Sequence, residues 1–121
     1  MRIILASKSG VRKKILNDFK IDCQVIASQV DEDEVKKSLL AEGADPLVIS
    51  KNLAEIKSIK VSSKNPDRLV IGADSVISLQ NQLINKPRSR DEALSILKKL
   101  NNSVHYLITS VCISKNGAMI W

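Results

Sequence analysis

The distribution of apolar positions divides the chain into short strands and amphipathic helices. Ile3, Ile4 and Leu5 are contiguous, are bounded by small residues and predict a buried strand. Beyond Gly10, the spacing of Val11, Ile15, Leu16 and Phe19 predicts a helix that begins near Val11. The stretch DCQVIAS reads as a second strand, and QVDEDEVKKSLLAEG passes from an acidic loop into a short amphipathic helix. Asp45 followed by Pro46 is a cap with proline at the first helical position. Ile49, Leu53, Ile56 and Lys60 then mark one face of a longer helix running to about Ser62.

The second half starts with a turn at NPD and the most strand-like run of the sequence, RLVIGADSVISL. QNQ breaks that run into a hairpin with LIN. Ser89 and Glu92 have the spacing of a capping box, ahead of a helix whose buried stripe is expected at Ala93, Ile96, Leu97 and Leu100. VHYLITSVCIS is another long strand, and Asn116-Gly117 is the preferred dipeptide of a tight hairpin leading into AMIW. A return strand of four apolar residues looks cut short. Strands alternating with helices over 121 residues predict a single α/β domain, residues 1–121, around one core.

Composition narrows the class. The chain is 44% hydrophobic but only 2% aromatic, so the core must be Ile, Leu and Val. No apolar run approaches the ~20 residues of a membrane span, and the run after Met1-Arg2 is too short for a secretory segment. A cytoplasmic protein without membrane association is expected. Cys23 and Cys112 lie far apart in apolar runs, and buried, reduced thiols are the expected state. A formal charge of +6 is compatible with a polyanionic ligand. The lysines are scattered and aromatic side chains for base stacking are almost lacking, which argues against nucleic acid.

The candidate chemistry lies where strands end. Ser7, Lys8, Ser9 and Gly10 form the turn between the first strand and first helix, where free N–H groups and the positive helix end favour an anion. Arg12 and Lys13 add charge, and a guanidinium grips two phosphate oxygens at once. The loop matches neither standard phosphate-binding glycine motif, and taken alone it reads first as an ordinary capped helix start. Asp74 closes VIGAD where an apolar strand turns polar; it could hold a metal, activate water or serve as a turn residue. Glu32 is a second acid after a strand, and Lys86, before Pro87, a further cation. By residue type, Lys57 and Lys86 read as solvated lysines, and His105 as a structural histidine.

The order of LASKS..R, VDE, LAEIK, VIGADS, NKP and HYLITSV resembles the Maf family of nucleoside triphosphate pyrophosphatases over essentially the whole chain. The resemblance implies an inosine-triphosphate-pyrophosphatase-like mixed sheet flanked by helices. It also implies metal-dependent hydrolysis of a nucleoside triphosphate to monophosphate and diphosphate, with Mg2+ or Mn2+ as cofactor. Ser7, Ser9 and Arg12 match the family's first loop, while Gly10 stands for its proline and Val11 for its first arginine. Lys57 and Lys86 match its lysines, although Asn85 replaces a glycine; these residues are the implied substrate-binding set. Glu32 matches its loop glutamate, and Asp74 the aspartate used as proton acceptor; together they are the implied metal ligands. His105 and Thr109 fall on the His and Thr of the later strand, with Ser110 at a usual glycine.

Val11 and Ser75 occupy positions that separate uridine and thymidine triphosphate enzymes from 7-methyl-GTP enzymes, and fit neither group. Family members often pair as homodimers, an arrangement the resemblance extends to this chain. Because the sequence stops before the family's Asp-Lys-Ala-Gly segment, a C-terminally incomplete fold is expected. Two alternatives stand beside the enzyme: a catalytically dead remnant that binds only nucleotide or a partner, and a small basic nucleic-acid-binding domain.

Overall fold

A computed structural model describes residues 2–121. Strands β1 (Ile3–Leu5), β2 (Cys23–Val25), β3 (Val70–Leu79), β4 (Gln82–Ile84), β5 (His105–Lys115) and β6 (Ala118–Met119) alternate with helices α1 (Gly10–Asp18), α2 (Glu32–Ala41), α3 (Pro46–Ser63) and α4 (Arg90–Leu100). They form one mixed sheet of order β2-β1-β3-β5-β6, with β4 attached to β3. The α/β class and mixed sheet expected from the sequence are both present.

Local chemistry sets most helix starts. Ser9 Oγ accepts from Arg12 N, Asp31 from Glu34 N, Asp45 from Val48 N and Ser89 from Glu92 N, each satisfying a donor that the first turn leaves unpaired. Pro46 enters α3 at a position where its missing N–H costs nothing. Both hairpins turn through left-handed residues, Gln80-Asn81 (φ 50 and 61) and Asn116-Gly117 (φ 53 and 79), as the twist of paired strands demands.

α3 lies across β3 and β5, and its approach is unusually close at Gly72. A Cβ there would stand 2.4 Å from Ala54 O and 2.8 Å from Ser58 N, so only glycine admits the helix. The buried side of α3 contains Ile49, Ser50, Leu53, Ala54, Lys57, Ser58, Val61 and Ser62. This differs from the expected stripe: Ile56 and Lys60 are only half-buried, and three serines lie inside. The serines are tolerated because they are bonded. Ser58 Oγ lies 2.7 Å from Ser114 Oγ and donates to Glu55 O, and Ser62 Oγ accepts from Gly117 N. Beside them Ile4, Ala6, Val61 and Val70 form an apolar cluster, flanked by Ile26.

The stripe expected on α4 is met only in part: Ala93, Ile96 and Leu100 are half-buried. No α4 residue is buried, and Leu97 is 63% exposed. Cys23 and Cys112 are buried free thiols, as expected. Among the described residues no helix is long and apolar enough to cross a membrane.

Sheet register creates the opening for a site. β1 runs parallel to β3 only at Val70 and Ile71, whereas β4 pairs antiparallel with the same strand from Ile77 to Leu79. Among the described residues, the stretch of β3 holding Ala73, Asp74 and Ser75 therefore has a partner strand only in β5. The chain leaving β1 diverges there, and mostly polar side chains line the gap.

Candidate active site

A cavity of about 420 Å3 occupies this gap. One wall is the turn after β1. Ser7 Oγ accepts from Ser9 N at 3.0 Å and Ser9 Oγ caps α1, so both hydroxyls are committed to shaping the turn. Arg12, in the first turn of α1, reaches back over it. Its guanidinium lies 3.4 Å from Ser7 Oγ and 3.4 Å from Ser75 Oγ, contacts long enough to leave most of its donor capacity free. Ser75 Oγ is in turn 2.9 Å from Thr109 Oγ1 on β5.

The opposite wall is charged. Lys57, buried on α3, places Nζ 2.5 Å from Glu32 Oε1, 3.2 Å from Asp74 Oδ1 and 3.3 Å from Ala73 O. One ammonium thus joins two carboxylates from different elements. Burial alone would raise the Glu32 pKa. The hydrogen bond and charge of Lys57, with Lys36 and Lys86 behind it, outweigh that and hold the carboxyl below its ordinary value of 4.5. Asp74 is buried, and its Oδ2 is a buried acceptor with no hydrogen-bond partner. Such an atom is costly to leave unsatisfied and marks a place for an incoming proton donor or cation.

The structure brings together every candidate site residue of the sequence reading: Ser7, Ser9 and Arg12 on one side, Glu32, Lys57 and Asp74 on the other, and Lys86 at the rim. Lys57 is not the solvated lysine its type suggests, whereas Lys86 is exposed. Glu32 opens α2 instead of lying in an acidic loop, and Asp31 is the cap. Val11 points away, 70% exposed and outside the cavity lining; Ser75 lines it. His105 lies elsewhere, beside the end of α4.

Three lining residues, Ser28, Gln29 and Val30, carry no chemical signature in the sequence. Gln29 holds φ at 54, and its carbonyl accepts from Lys60 Nζ at 2.8 Å. That contact anchors the loop that delivers Glu32.

The donor set also fits a divalent cation. Among the described residues there is no cluster of three or more metal-ligating side chains, but Glu32 and Asp74 share one cation, and Asp74 Oδ2 is free. Two carboxylates with water and phosphate oxygens is how Mg2+ is commonly held. The arrangement is equipped to neutralise a polyanion against Arg12, Lys57 and Lys86 and to place a carboxylate beside it.

A nucleoside triphosphate pyrophosphatase of Pelagibacter ubique is 59% identical over 98% of this chain and 61% of its own length. One of Caulobacter vibrioides is 41% identical over 98% of the chain, and a 7-methyl-GTP pyrophosphatase of Brucella abortus is 34% identical over 100%. The chain spans about three fifths of the length of these relatives. The family profile described as Maf-like protein matches residues 2–120, and the chain belongs to that family.

Proposed function

We propose that the protein is a nucleoside triphosphate pyrophosphatase, cleaving between the α and β phosphates to release a nucleoside monophosphate and diphosphate. The observation that carries the reading is the unpartnered, buried Asp74 Oδ2 in a cavity walled by Arg12, Lys57 and Lys86. The names of the relatives support the same substrate class.

In this reading the triphosphate lies along the cationic wall. Arg12 takes two oxygens with its free donors, and the turn at Ser7 and Ser9 lets backbone approach the chain. Lys57 and Lys86 offset the remaining charge. Asp74 accepts the proton of a water aligned with the breaking P–O bond; the water oxygen bonds to phosphorus and the diphosphate leaves. Lys57 holds Asp74 Oδ1, which orients Oδ2 for that proton. Glu32 and Asp74 would hold Mg2+ or Mn2+, whose charge, when bound, stabilises that developing on the phosphate oxygens. Base preference falls to Ser75 and its neighbours, because Val11 is turned away.

The test is diphosphate release from a panel of common and modified nucleoside triphosphates with Mg2+ or Mn2+, beside Asp74→Asn. Release that disappears in the variant is expected; equal release from both would overturn the assignment of Asp74. A folded protein that shows thermal stabilisation by nucleotide and metal without product would support the binding-only alternative instead.

A further inference from the structure

Asp74 is held from two directions by the same helix. Lys57 takes its carboxylate. Earlier on α3, fully buried Ser50 lies 3.0 Å from the Asp74 carbonyl oxygen and 2.9 Å from Ser110 Oγ. The β3–β5 register sets Ser110 directly opposite Asp74 and Thr109 opposite Ser75. Thr109 and Ser110 alternate across the sheet, and each reaches a different part of the site. Thr109 meets Ser75, which meets Arg12; Ser110 meets Ser50, which donates to the Asp74 carbonyl.

We infer that Ser50, braced by Ser110, is a positioning residue for the reaction: it fixes the Asp74 peptide so that the side chain meets Lys57 and the cavity at one angle. The inference rests on the reading of Asp74 as proton acceptor. Its physical basis is that a strand lacking a partner on one edge depends on other contacts to hold its backbone. Around Asp74 that edge is open toward the cavity. Lys57 takes the Ala73 carbonyl on that open edge, and the Ser50 hydroxyl adds a bond from the helix side to the Asp74 carbonyl, which the alternation of β3 turns toward β5. A buried hydroxyl is also costly unless bonded, so Ser50 and the Asp74 carbonyl specify one another. Ser58 on the same helix provides a matched contrast: it is equally buried and bonded to Ser114 and Glu55 O, without contact to Asp74.

The experiment compares wild type, Ser50→Ala, Ser110→Ala, the double variant and Ser58→Ala in steady-state diphosphate release. Ser50→Ala is expected to lower kcat about tenfold, as misplacement of a reacting group does, with KM within about twofold. Ser50→Ala and Ser110→Ala together should be little worse than Ser50→Ala alone, because they break one chain of contacts. Ser58→Ala should lower the urea midpoint while leaving kcat unchanged. An unchanged kcat in Ser50→Ala, or an equal fall in Ser58→Ala, overturns the inference.

If wild type releases no diphosphate, the functional reading has failed. The geometric claim is then judged by the 13C chemical shifts of the Asp74 carbonyl and carboxyl at constant pH. Movement in Ser50→Ala but not in Ser58→Ala upholds it; movement in neither or in both overturns it.

Discussion

The two long amphipathic segments, α3 and α4, reverse the expectation drawn from their sequences. α4 carries the cleaner pattern, with a capping box and an apolar stripe, yet its stripe is at most half-buried. α3 has serines and a lysine on its inner side, yet it is the helix around which the core and the site are built. The same divide separates the two faces of β5. Cys112 and Ser114 are buried under α3, while Leu107 and Val111 on the other face stand 70% and 47% exposed. Apolar periodicity reports that a helix demands burial and not where the demand is met. Burial of polar groups depends on partners contributed by distant strands, which periodicity does not register.

The sharpest way to break this comparison is to remove the charge at the centre of α3. Lys57→Met leaves Asp74 buried and Glu32 half-buried without their shared cation, and breaking such a buried pair costs about 4 kcal/mol. Diphosphate release should vanish as well. Adding Asp74→Asn should recover part of the stability in urea unfolding but none of the activity. A single Lys57→Met variant as stable as wild type would show that α3 is held without its ionic contacts.

Next comes the contact that admits the helix. Gly72→Ala drives a methyl into the backbone of Ala54 and Ser58, and an overpacked core of this kind loses about 3 kcal/mol. The loss should appear in the urea midpoint and as a fall in kcat, because Asp74 lies on the same strand. Tolerance of alanine with full stability would mean that α3 stands farther from β3 than the structure places it.

Much of this was legible from sequence, but through two different kinds of signal. Element order, the Asp45-Pro46 start of α3 and the Asn116-Gly117 hairpin follow from local chemistry, which acts over a few residues. The convergence of Glu32, Lys57 and Asp74 followed only from the order of motifs shared with a family; no spacing rule brings together residues from α2, α3 and β3. Ser50 carried no signal. Its partners, Asp74 and Ser110, lie far away in sequence, and a serine in a helix reads as neutral. Gln29 is similar, since its left-handed backbone is set by the loop around it.

The electrostatic part of the comparison has a pH signature. The Glu32 pKa lies below 4.5 in the folded protein, so its contribution to stability is complete above the unfolded value and is lost as pH falls through the lowered folded one. Glu32→Gln should therefore be less stable than wild type at pH 7, and the gap should close as pH drops below about 4. Partial exposure screens the pair and keeps the gap under about 1 kcal/mol. A gap that stays constant down to pH 2 would place the stabilisation in packing instead of charge.

The smallest expected effect tests the other half of the molecule. Leu97 on α4 and Leu107 on the outer face of β5 are large apolar side chains in solvent. In a monomer, Leu97→Ala should change stability by no more than about 0.5 kcal/mol, the range of surface substitutions, against about 3 kcal/mol for Leu53→Ala inside α3. Exposed apolar area of this kind invites association, and pairing is expected from the resemblance to the family. If two copies cover these residues, the cost of Leu97→Ala should rise toward that of a core leucine, and the urea midpoint of wild type should rise with protein concentration. Concentration-independent unfolding together with a negligible Leu97→Ala effect would establish that the Leu97 side of α4 is bare in solution. The contrast between the two helices would then belong to the folded chain itself.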